Sequence, residues 1–129
     1  MNMNRTVLDA SALLALLHAE DGSERVEYAL PDSVIASVNL AEVFAALVDR
    51  GLSTFEVRDA IEGLALTVVP FDETLAYETS FISNGGGGES LSLGDRACLA
   101  LAQQMNATAM TADHRWRDLD LSIDVEVVC

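Results

Sequence analysis

The sequence predicts an α/β fold with a mainly parallel central sheet. Short apolar segments rich in β-branched residues alternate with amphipathic helical segments along the whole chain, and this alternation is typical of a parallel sheet covered by helices. Half of the residues are hydrophobic but only 5% are aromatic, as expected where aliphatic side chains fill the core. The 129 residues fit one domain, residues 1–129, with no linker and no internal repeat.

The first part of the chain predicts two strands and three helices. Ser11 is expected to cap the first helix, and either Ser37 or Asn39 is expected to cap the third. Gly22 and Gly51 are expected to close these two helices. The predicted elements are strands over residues 6–8 and 33–36, helices over residues 12–19 and 23–30 with Pro31 beyond, and a helix that ends at residue 48.

The second part predicts three further strands and three helices. Ser53 and Glu56 match the capping box S-x-x-E, and Asp72 is expected to cap the next helix. Asn84 and Gly85–Gly88 break the chain, and because no Gly-Lys-Ser/Thr follows, they predict a mobile surface loop instead of a phosphate-binding loop. The predicted elements are strands over residues 66–71, 108–111 and 123–128 and helices over residues 53–64, 72–82 and 93–105.

The charge balance restricts the partners that this chain can bind. The formal net charge is −14, from 21 acids against seven arginines and no lysine. So acidic a protein should repel a nucleic-acid backbone unless a local basic patch or a bound metal reverses the sign. It should also attract a basic protein partner.

Several classes of protein are excluded by what the sequence lacks. No apolar run reaches the ~18 residues of a membrane span, and the first residues lack the regions of a signal peptide, so we expect a cytosolic protein. Cys98 and Cys129 form no CxxC motif and have no nearby histidine pair, which excludes the usual zinc spacings. Cys98 falls on the apolar face of a predicted helix and is expected in the core.

Four acidic residues lie where the chain turns from a strand or loop into a helix. Asp9 and Asp113 follow predicted strands, and Glu42 and Asp95 lie near the start of predicted helices. Each has a purely structural alternative, as a turn residue or as an acid that is stabilised by the helix dipole. Their joint placement suggests one shared binding site, because ligands of an open parallel sheet bind beyond the carboxyl ends of its strands.

A pocket that gathers these acids needs a cation. Like charges held close together are unfavourable unless a counter-ion offsets them. Carboxylates without His or Cys suit Mg²⁺ or Mn²⁺, which prefer oxygen ligands, and such a site favours phosphoryl-ester chemistry. Asp118 and Asp120 are either a source of a fifth acid or solvated loop residues.

Four segments resemble the motifs of PIN-domain ribonucleases, and most closely those of the VapC-type toxins of bacterial toxin–antitoxin pairs. The segments are Val7–Ala12, Asn39–Val43, Leu91–Ala97 and Met110–Asp113. They occur in order, with fitting spacing, over nearly the whole chain. The resemblance implies a three-layer α/β/α sandwich with strand order 3-2-1-4-5.

The resemblance also implies a function. It implies an endoribonuclease that uses Mg²⁺ or Mn²⁺ and leaves 5′-phosphate and 3′-hydroxyl ends, with Ser11 and Thr111 orienting the acids. It further implies homodimers and inhibition by a basic antitoxin protein, which agrees with the net charge. The implied catalytic and metal-binding residues are Asp9, Glu42, Asp95 and Asp113.

Basic and aromatic residues near the acids have two interpretations each. Arg96, Arg115 and Arg117 adjoin the motif acids in sequence and can contact RNA phosphates, while Arg115 and Arg117 can equally balance nearby acids. Trp116 either stacks on a base or packs over the edge of the domain.

Three other functions fit the sequence less well. A phosphoacceptor signalling domain also gathers acids at strand ends, but it uses a lysine, and this chain has none. A haloacid-dehalogenase-type phosphatase would have an aspartate where Ser11 stands. A non-catalytic interaction protein with a PIN-like fold would not need all four acids, and Mn²⁺ binding would distinguish it.

Overall fold

A sheet of five parallel strands forms the centre of the fold in a computed structural model that describes residues 5–82 and 91–129. The strand order is β3-β2-β1-β4-β5, which confirms the predicted class and order. The predicted loop over Asn84 and Gly85–Gly88 lies outside the described residues. The strands are β1 (Thr6–Leu8), β2 (Ser33–Ala36), β3 (Thr67–Val69), β4 (Thr108–Thr111) and β5 (Val125–Val127).

Helices cover both faces of this sheet, as the alternating side chains of its strands require. In β1, Val7 packs in one apolar cluster with Leu75 and Leu99, while the next residue, Leu8, packs in the opposite cluster with Val43. The result is a three-layer sandwich, with α5 and α6 on one side and α1 to α4 on the other. The helices are α1 (Ala10–Leu17), α2 (Ser23–Ala29), α3 (Ser37–Asp49), α4 (Thr54–Glu62), α5 (Glu73–Ser80) and α6 (Leu93–Met105).

The start of α1 differs from the prediction. Asp9, and not Ser11, is the N-cap, since its Oδ1 accepts a hydrogen bond from the Ala12 backbone at 2.8 Å. Ser11 lies inside the first turn, where its hydroxyl bonds to Asp9 instead. The predicted cap is wrong because an aspartate that ends a strand can reach the third helical N–H, which makes it an equally good cap.

The start of α3 also differs, because neither Ser37 nor Asn39 is its cap. The helix begins at Ser37, after Ala36, without a side-chain cap. The Ser37 hydroxyl accepts a hydrogen bond from the Phe71 backbone at 2.9 Å. This bond ties the start of α3 to the segment that follows β3.

The glycines behave differently from one another. Gly51, at φ +101°, ends α3 as predicted. Its N–H bonds to the Val48 carbonyl at 2.9 Å, and the Leu52 N–H bonds to the Leu47 carbonyl at 3.2 Å, which is the Schellman pattern. Gly22, at φ +93°, precedes α2 and does not close α1.

The remaining boundaries agree closely with the sequence. The Ser53 capping box and the Asp72 cap are confirmed. The edge strands β3 and β5 are shorter than predicted. Pro31 lies beyond the end of α2 as predicted, within a 3-10 turn over Leu30–Asp32. No helix in the described ranges is both long and apolar enough to cross a membrane.

Candidate active site

The register between β1 and β4 places Asp9 beside Thr111. Leu8 pairs with Met110, so the next residue of each strand lies at the carboxyl edge of the sheet. The Asp9 N–H continues the ladder by donating to the Met110 carbonyl at 3.1 Å. The Thr111 hydroxyl donates to Asp9 Oδ2 at 2.5 Å, which ties the two strand ends together.

The Asp9 carboxylate is buried, and both of its oxygens accept hydrogen bonds. The residue is 4% exposed, and Oδ1 accepts hydrogen bonds from the Ser11 hydroxyl and the Ala12 backbone, each at 2.8 Å. Ser11 also accepts a hydrogen bond from the Ala112 backbone at 2.9 Å. Ser11 and Thr111 therefore contact the acid that the sequence predicted they would orient.

Burial makes the ionised form of Asp9 unfavourable. It raises the pKa of Asp9 to about 6, although the hydrogen bonds from Thr111, Ala12 and Ser11 oppose the shift and the nearby Asp95 adds to it. Within residues 5–82 and 91–129, no arginine or histidine forms an ion pair with this carboxylate. A buried acid without a basic partner is a place where a cation would stabilise the charge.

Two further acids come from the ends of helices that meet at this edge. Glu42 lies in the second turn of α3, a little deeper than predicted, and is exposed. Asp95 lies in the first turn of α6, where its Oδ2 accepts a hydrogen bond from the Ser92 backbone at 3.0 Å while Ser92 Oγ accepts one from the Asp95 backbone at 3.1 Å. Asp95 thus takes part in a capping box that the sequence analysis missed.

The charges of Asp9, Asp95 and Glu42 all act on the buried thiol of Cys98. The carboxylate of Glu42 lies directly against Gly94, next to Asp95. Burial raises the pKa of Cys98 well above its ordinary value, and the charges of Asp9, Asp95 and Glu42 raise it further. One buried group therefore senses all three acids, and the prediction that Cys98 belongs to the core is confirmed.

The carboxylate of Asp113 is engaged elsewhere. The Asp113 N–H donates to Thr111 Oγ1 at 3.0 Å, so its backbone adjoins the site. Its carboxylate accepts hydrogen bonds from Arg115 Nε at 3.0 Å and from Arg115 Nη2 at 2.7 Å. This pairing lowers the pKa of Asp113, and it agrees with the interpretation that Arg115 balances a nearby acid.

The donor chemistry of the site fits a hard divalent cation, but the ligands are not fully assembled. All four acids offer oxygen atoms, which Mg²⁺ and Mn²⁺ prefer. In the part of the chain that the structure describes, no three acidic, histidine or cysteine side chains stand close enough to hold one ion. Asp95 faces Ser92, and Asp113 faces Arg115, so rotation of these side chains would precede their use as ligands.

Sequence reasoning missed two residues beside Glu42. Asn39 is buried and donates to Glu42 Oε1, and Gly94 leaves the space that the Glu42 carboxylate occupies. A signal was present, since Asn39 lies on the same helix face as the buried Val43 and Leu47, where an amide needs a specific partner.

The other basic and aromatic residues are placed as follows. Arg117 donates to His114 Nδ1 at 2.7 Å and to the Cys129 carbonyl at 2.8 Å, so it balances no acid through these bonds. Trp116 is 2% exposed, which confirms that it packs in the domain and excludes stacking of its ring on a base in this conformation. Arg96 is half-buried in the first turn of α6.

Comparisons with known proteins agree with this arrangement. Residues 6–121 match the family model of the PIN domain. No protein of curated function matches the chain in sequence.

Solved structures share the fold at low sequence identity. DNA-bound VapBC from Salmonella typhimurium has a TM-score of 0.76 at 20% identity, over 98% of this chain and 100% of that one. A toxin–antitoxin complex from Klebsiella pneumoniae has a TM-score of 0.73 at 16% identity, over 96% and 98%. VapC20 from Mycobacterium tuberculosis, a toxin that cleaves the sarcin–ricin loop, has a TM-score of 0.70 at 17% identity, over 90% and 98%.

Proposed function

Since the chain belongs to the PIN-domain family, we propose that it is a divalent-metal-dependent endoribonuclease that acts as the toxin of a toxin–antitoxin pair. The observation that carries this proposal is the Asp9 carboxylate, which is buried at the carboxyl edge of the sheet with Asp95 nearby and no basic partner among the described residues. Such an acid is costly to the fold. A cation-binding site at this edge of the sheet accounts for the buried acid.

The proposed mechanism assigns each group a separate task. A divalent cation, when bound, supplies a Lewis acid that polarises the scissile phosphate and lowers the pKa of an attacking water. Asp9 is the anchoring ligand, because Ser11 and Thr111 fix both of its oxygens. Asp95 is the second ligand, and Glu42 and Asp113 complete the site directly or through water.

The substrate and partners follow from the charge of the molecule and from its structural neighbours. RNA is the substrate, and Arg96 and Arg115 contact its phosphates near the acids. A basic antitoxin places a positive side chain in the acidic pocket, which suits a chain of net charge −14 and the complexes in which structural neighbours were solved. The toxin acts in the cytosol as a homodimer.

RNA cleavage with and without metal tests the proposal. Purified protein should cut RNA in Mg²⁺ or Mn²⁺, lose that activity in a chelator, and leave 5′-phosphate ends. Asp9→Asn and Asp95→Asn should each reduce the rate by more than about a hundredfold, because each removes a charge that holds the metal. Sequencing of new 5′ ends would measure both the rate and the cleavage site.

A matched control is Glu62→Gln, which removes an exposed carboxylate at the end of α4. This variant has the same charge change and should keep the wild-type rate. Full activity of both aspartate variants, or cleavage that persists in chelator, would contradict the proposed site.

A non-catalytic interaction module is the second candidate. It is favoured by one observation, that no three potential ligands in residues 5–82 and 91–129 stand close enough to share an ion. Calorimetric titration of Mn²⁺ into the protein distinguishes the two functions. Absence of binding at millimolar metal would favour the interaction module over the nuclease.

A further inference from the structure

Asn39 is a buried amide on the apolar face of α3. It is 1% exposed and shares its helix face with the buried Val43 and Leu47. An amide in such a place is unfavourable unless hydrogen bonds replace its hydration. Its partners therefore indicate what the residue does.

The amide nitrogen of Asn39 joins α3 to the start of α6. Nδ2 donates to the Gly94 carbonyl at 3.0 Å and to Glu42 Oε1 at 3.2 Å. Both partners are acceptors, which fixes the orientation of the amide with its nitrogen toward them. Oδ1 of Asn39 is buried, and no described residue donates a hydrogen bond to it. The amide therefore makes two hydrogen bonds through its nitrogen while its oxygen has no partner among the described residues, which is unfavourable by itself.

Gly94 provides the space in which the Glu42 carboxylate lies. A Cβ atom at this position would overlap both oxygens of Glu42. The backbone of Gly94 does not have a positive φ, so the glycine is needed for space and not for its conformation. The carboxylate is thus bounded by the amide of Asn39 on one side and by the backbone of α6 on the other.

We infer that Asn39 and Gly94 are positioning residues that hold the Glu42 carboxylate against the start of α6, the helix that carries Asp95. The inference rests on the proposed function, since it assigns Glu42 to the metal site. Both residues act through Glu42, because their contacts are with its carboxylate. A metal ligand held in place by its neighbours binds more tightly, so loss of either neighbour should weaken metal binding.

A double-mutant cycle tests the positioning. Gly94→Ala and Asn39→Ala are each made in the wild-type chain and in a Glu42→Ala background, and Kd for Mg²⁺ and Mn²⁺ is measured by calorimetry. Each substitution should weaken the binding of both metals about tenfold or more in the wild type. In the Glu42→Ala background neither should change Kd more than about twofold, because no carboxylate remains to be displaced.

The result that overturns the inference is an equal loss of affinity in both backgrounds, or no loss in either. Gly63→Ala is the control, since a Cβ atom there meets only backbone oxygens, the nearest at 3.5 Å, and should leave both Kd values unchanged. Gly94→Ala should fold even if Asn39→Ala does not, because the exposed Glu42 side chain can swing away into solvent.

A measurement on the metal-free protein separates this inference from the proposed function. The side-chain amide resonances of Asn39 report its contact with Glu42, and Gly94→Ala should move them to the values that they have in Glu42→Ala. Unchanged resonances would overturn the positioning by Asn39 and Gly94, whether or not the protein binds metal. Wild-type protein that binds no Mn²⁺ at millimolar concentration would overturn the proposed function and, with it, the assignment of Glu42 to a metal site.

Discussion

At the scale of single residues, Asp9 combines two opposing influences. Burial disfavours its charge, while three hydrogen bonds favour it, and burial prevails, so that the pKa rises to about 6. The same three donors hold the carboxylate in one orientation. The residue is therefore well placed for a ligand but unfavourable for a protein without metal.

The substitution Asp9→Asn should change stability in opposite directions without and with metal. In chelator at pH 7 the variant should be more stable than the wild type by about 2 kcal/mol, because it removes a buried charge while keeping the shape of the side chain. In saturating Mn²⁺ the order should reverse, since only the wild type gains binding energy. Urea unfolding under both conditions measures the two differences.

If Asp9→Asn were less stable than the wild type in chelator, the hydrogen bonds to the Asp9 carboxylate would outweigh the cost of burying its charge. Thr111→Val provides a comparison, because it removes the hydroxyl that donates to Asp9 Oδ2. It should lower stability at pH 7, where the carboxylate is charged.

The raised pKa of Asp9 also predicts a pH dependence of the metal-free protein. The unfolded chain has the ordinary value of 3.8 and the folded protein a value of about 6, so the folded state binds more protons between these values. The contribution of Asp9 to the free energy of unfolding should therefore fall as the pH rises from about 4 to about 6, by about 3 kcal/mol in all.

The difference between wild type and Asp9→Asn, measured by urea unfolding at each pH, isolates this contribution from that of the other acids. This fall with pH should disappear when the protein is saturated with Mn²⁺, because a bound cation favours the charged form of Asp9. A difference that does not vary with pH in chelator would exclude a raised pKa.

At the scale of secondary-structure elements, the sequence predicted most of the fold because local signals agree with the tertiary structure. The Ser53 capping box, the Asp72 cap and the Gly51 terminus are all local and all correct. The errors arise where long-range contacts decide between local candidates. At the start of α1, Asp9 and Ser11 are both good caps by type, and only the position of Asp9 at the end of β1 decides between them. At the start of α3, the Ser37 hydroxyl bonds to the Phe71 backbone instead of capping the helix.

The start of α6 carries a capping box that a search for S-x-x-E does not find, because Asp95 stands in place of glutamate. Ser92→Ala should lower the free energy of unfolding by about 1 kcal/mol. It should leave Mn²⁺ binding unchanged, because the hydrogen bond to Asp95 Oδ2 comes from the Ser92 backbone N–H, which alanine keeps. Urea unfolding and calorimetry measure the two effects.

Ser53→Ala is the matched control, because α4 has the same capping box away from the acids. It should cost about the same stability and leave the affinity for Mn²⁺ unchanged. A change of Mn²⁺ affinity in Ser92→Ala, but not in Ser53→Ala, would show that the Ser92 hydroxyl does hold the Asp95 side chain.

At the scale of the whole molecule, the strand order could not be derived from the residues alone. Leu8 and Met110 pair across about a hundred residues of sequence, and no local pattern specifies such a partner. The order came from the family resemblance, and the structure confirms it. The four acids were predicted as one site from the sequence, but the structure pairs Asp113 with Arg115, and this pairing depends on side-chain geometry that spacing does not determine.

The net charge of −14 predicts that salt stabilises the metal-free protein. Screening of the mutual repulsion should raise the thermal midpoint as NaCl rises from about 0.02 to about 0.2 M, where the Debye length shortens to below ~10 Å. Calorimetry at pH 7 measures the rise. At pH near 4, where many carboxylates are protonated, the rise should be much smaller, and a midpoint that falls with salt at pH 7 would mean that favourable ion pairs dominate.

The central position of β1 has a consequence for how the site moves. Val7 and Leu8 have no exposed surface, and strands pair with β1 on both sides, so the Asp9 amide belongs to the segment that exchanges its hydrogen with solvent last. Glu42 and Asp95 are held at the margins of helices, where opening is easier. In the proposed metal site, we therefore expect the helical side of the pocket to open when an ion enters or leaves, while the strand side opens only when the whole molecule unfolds.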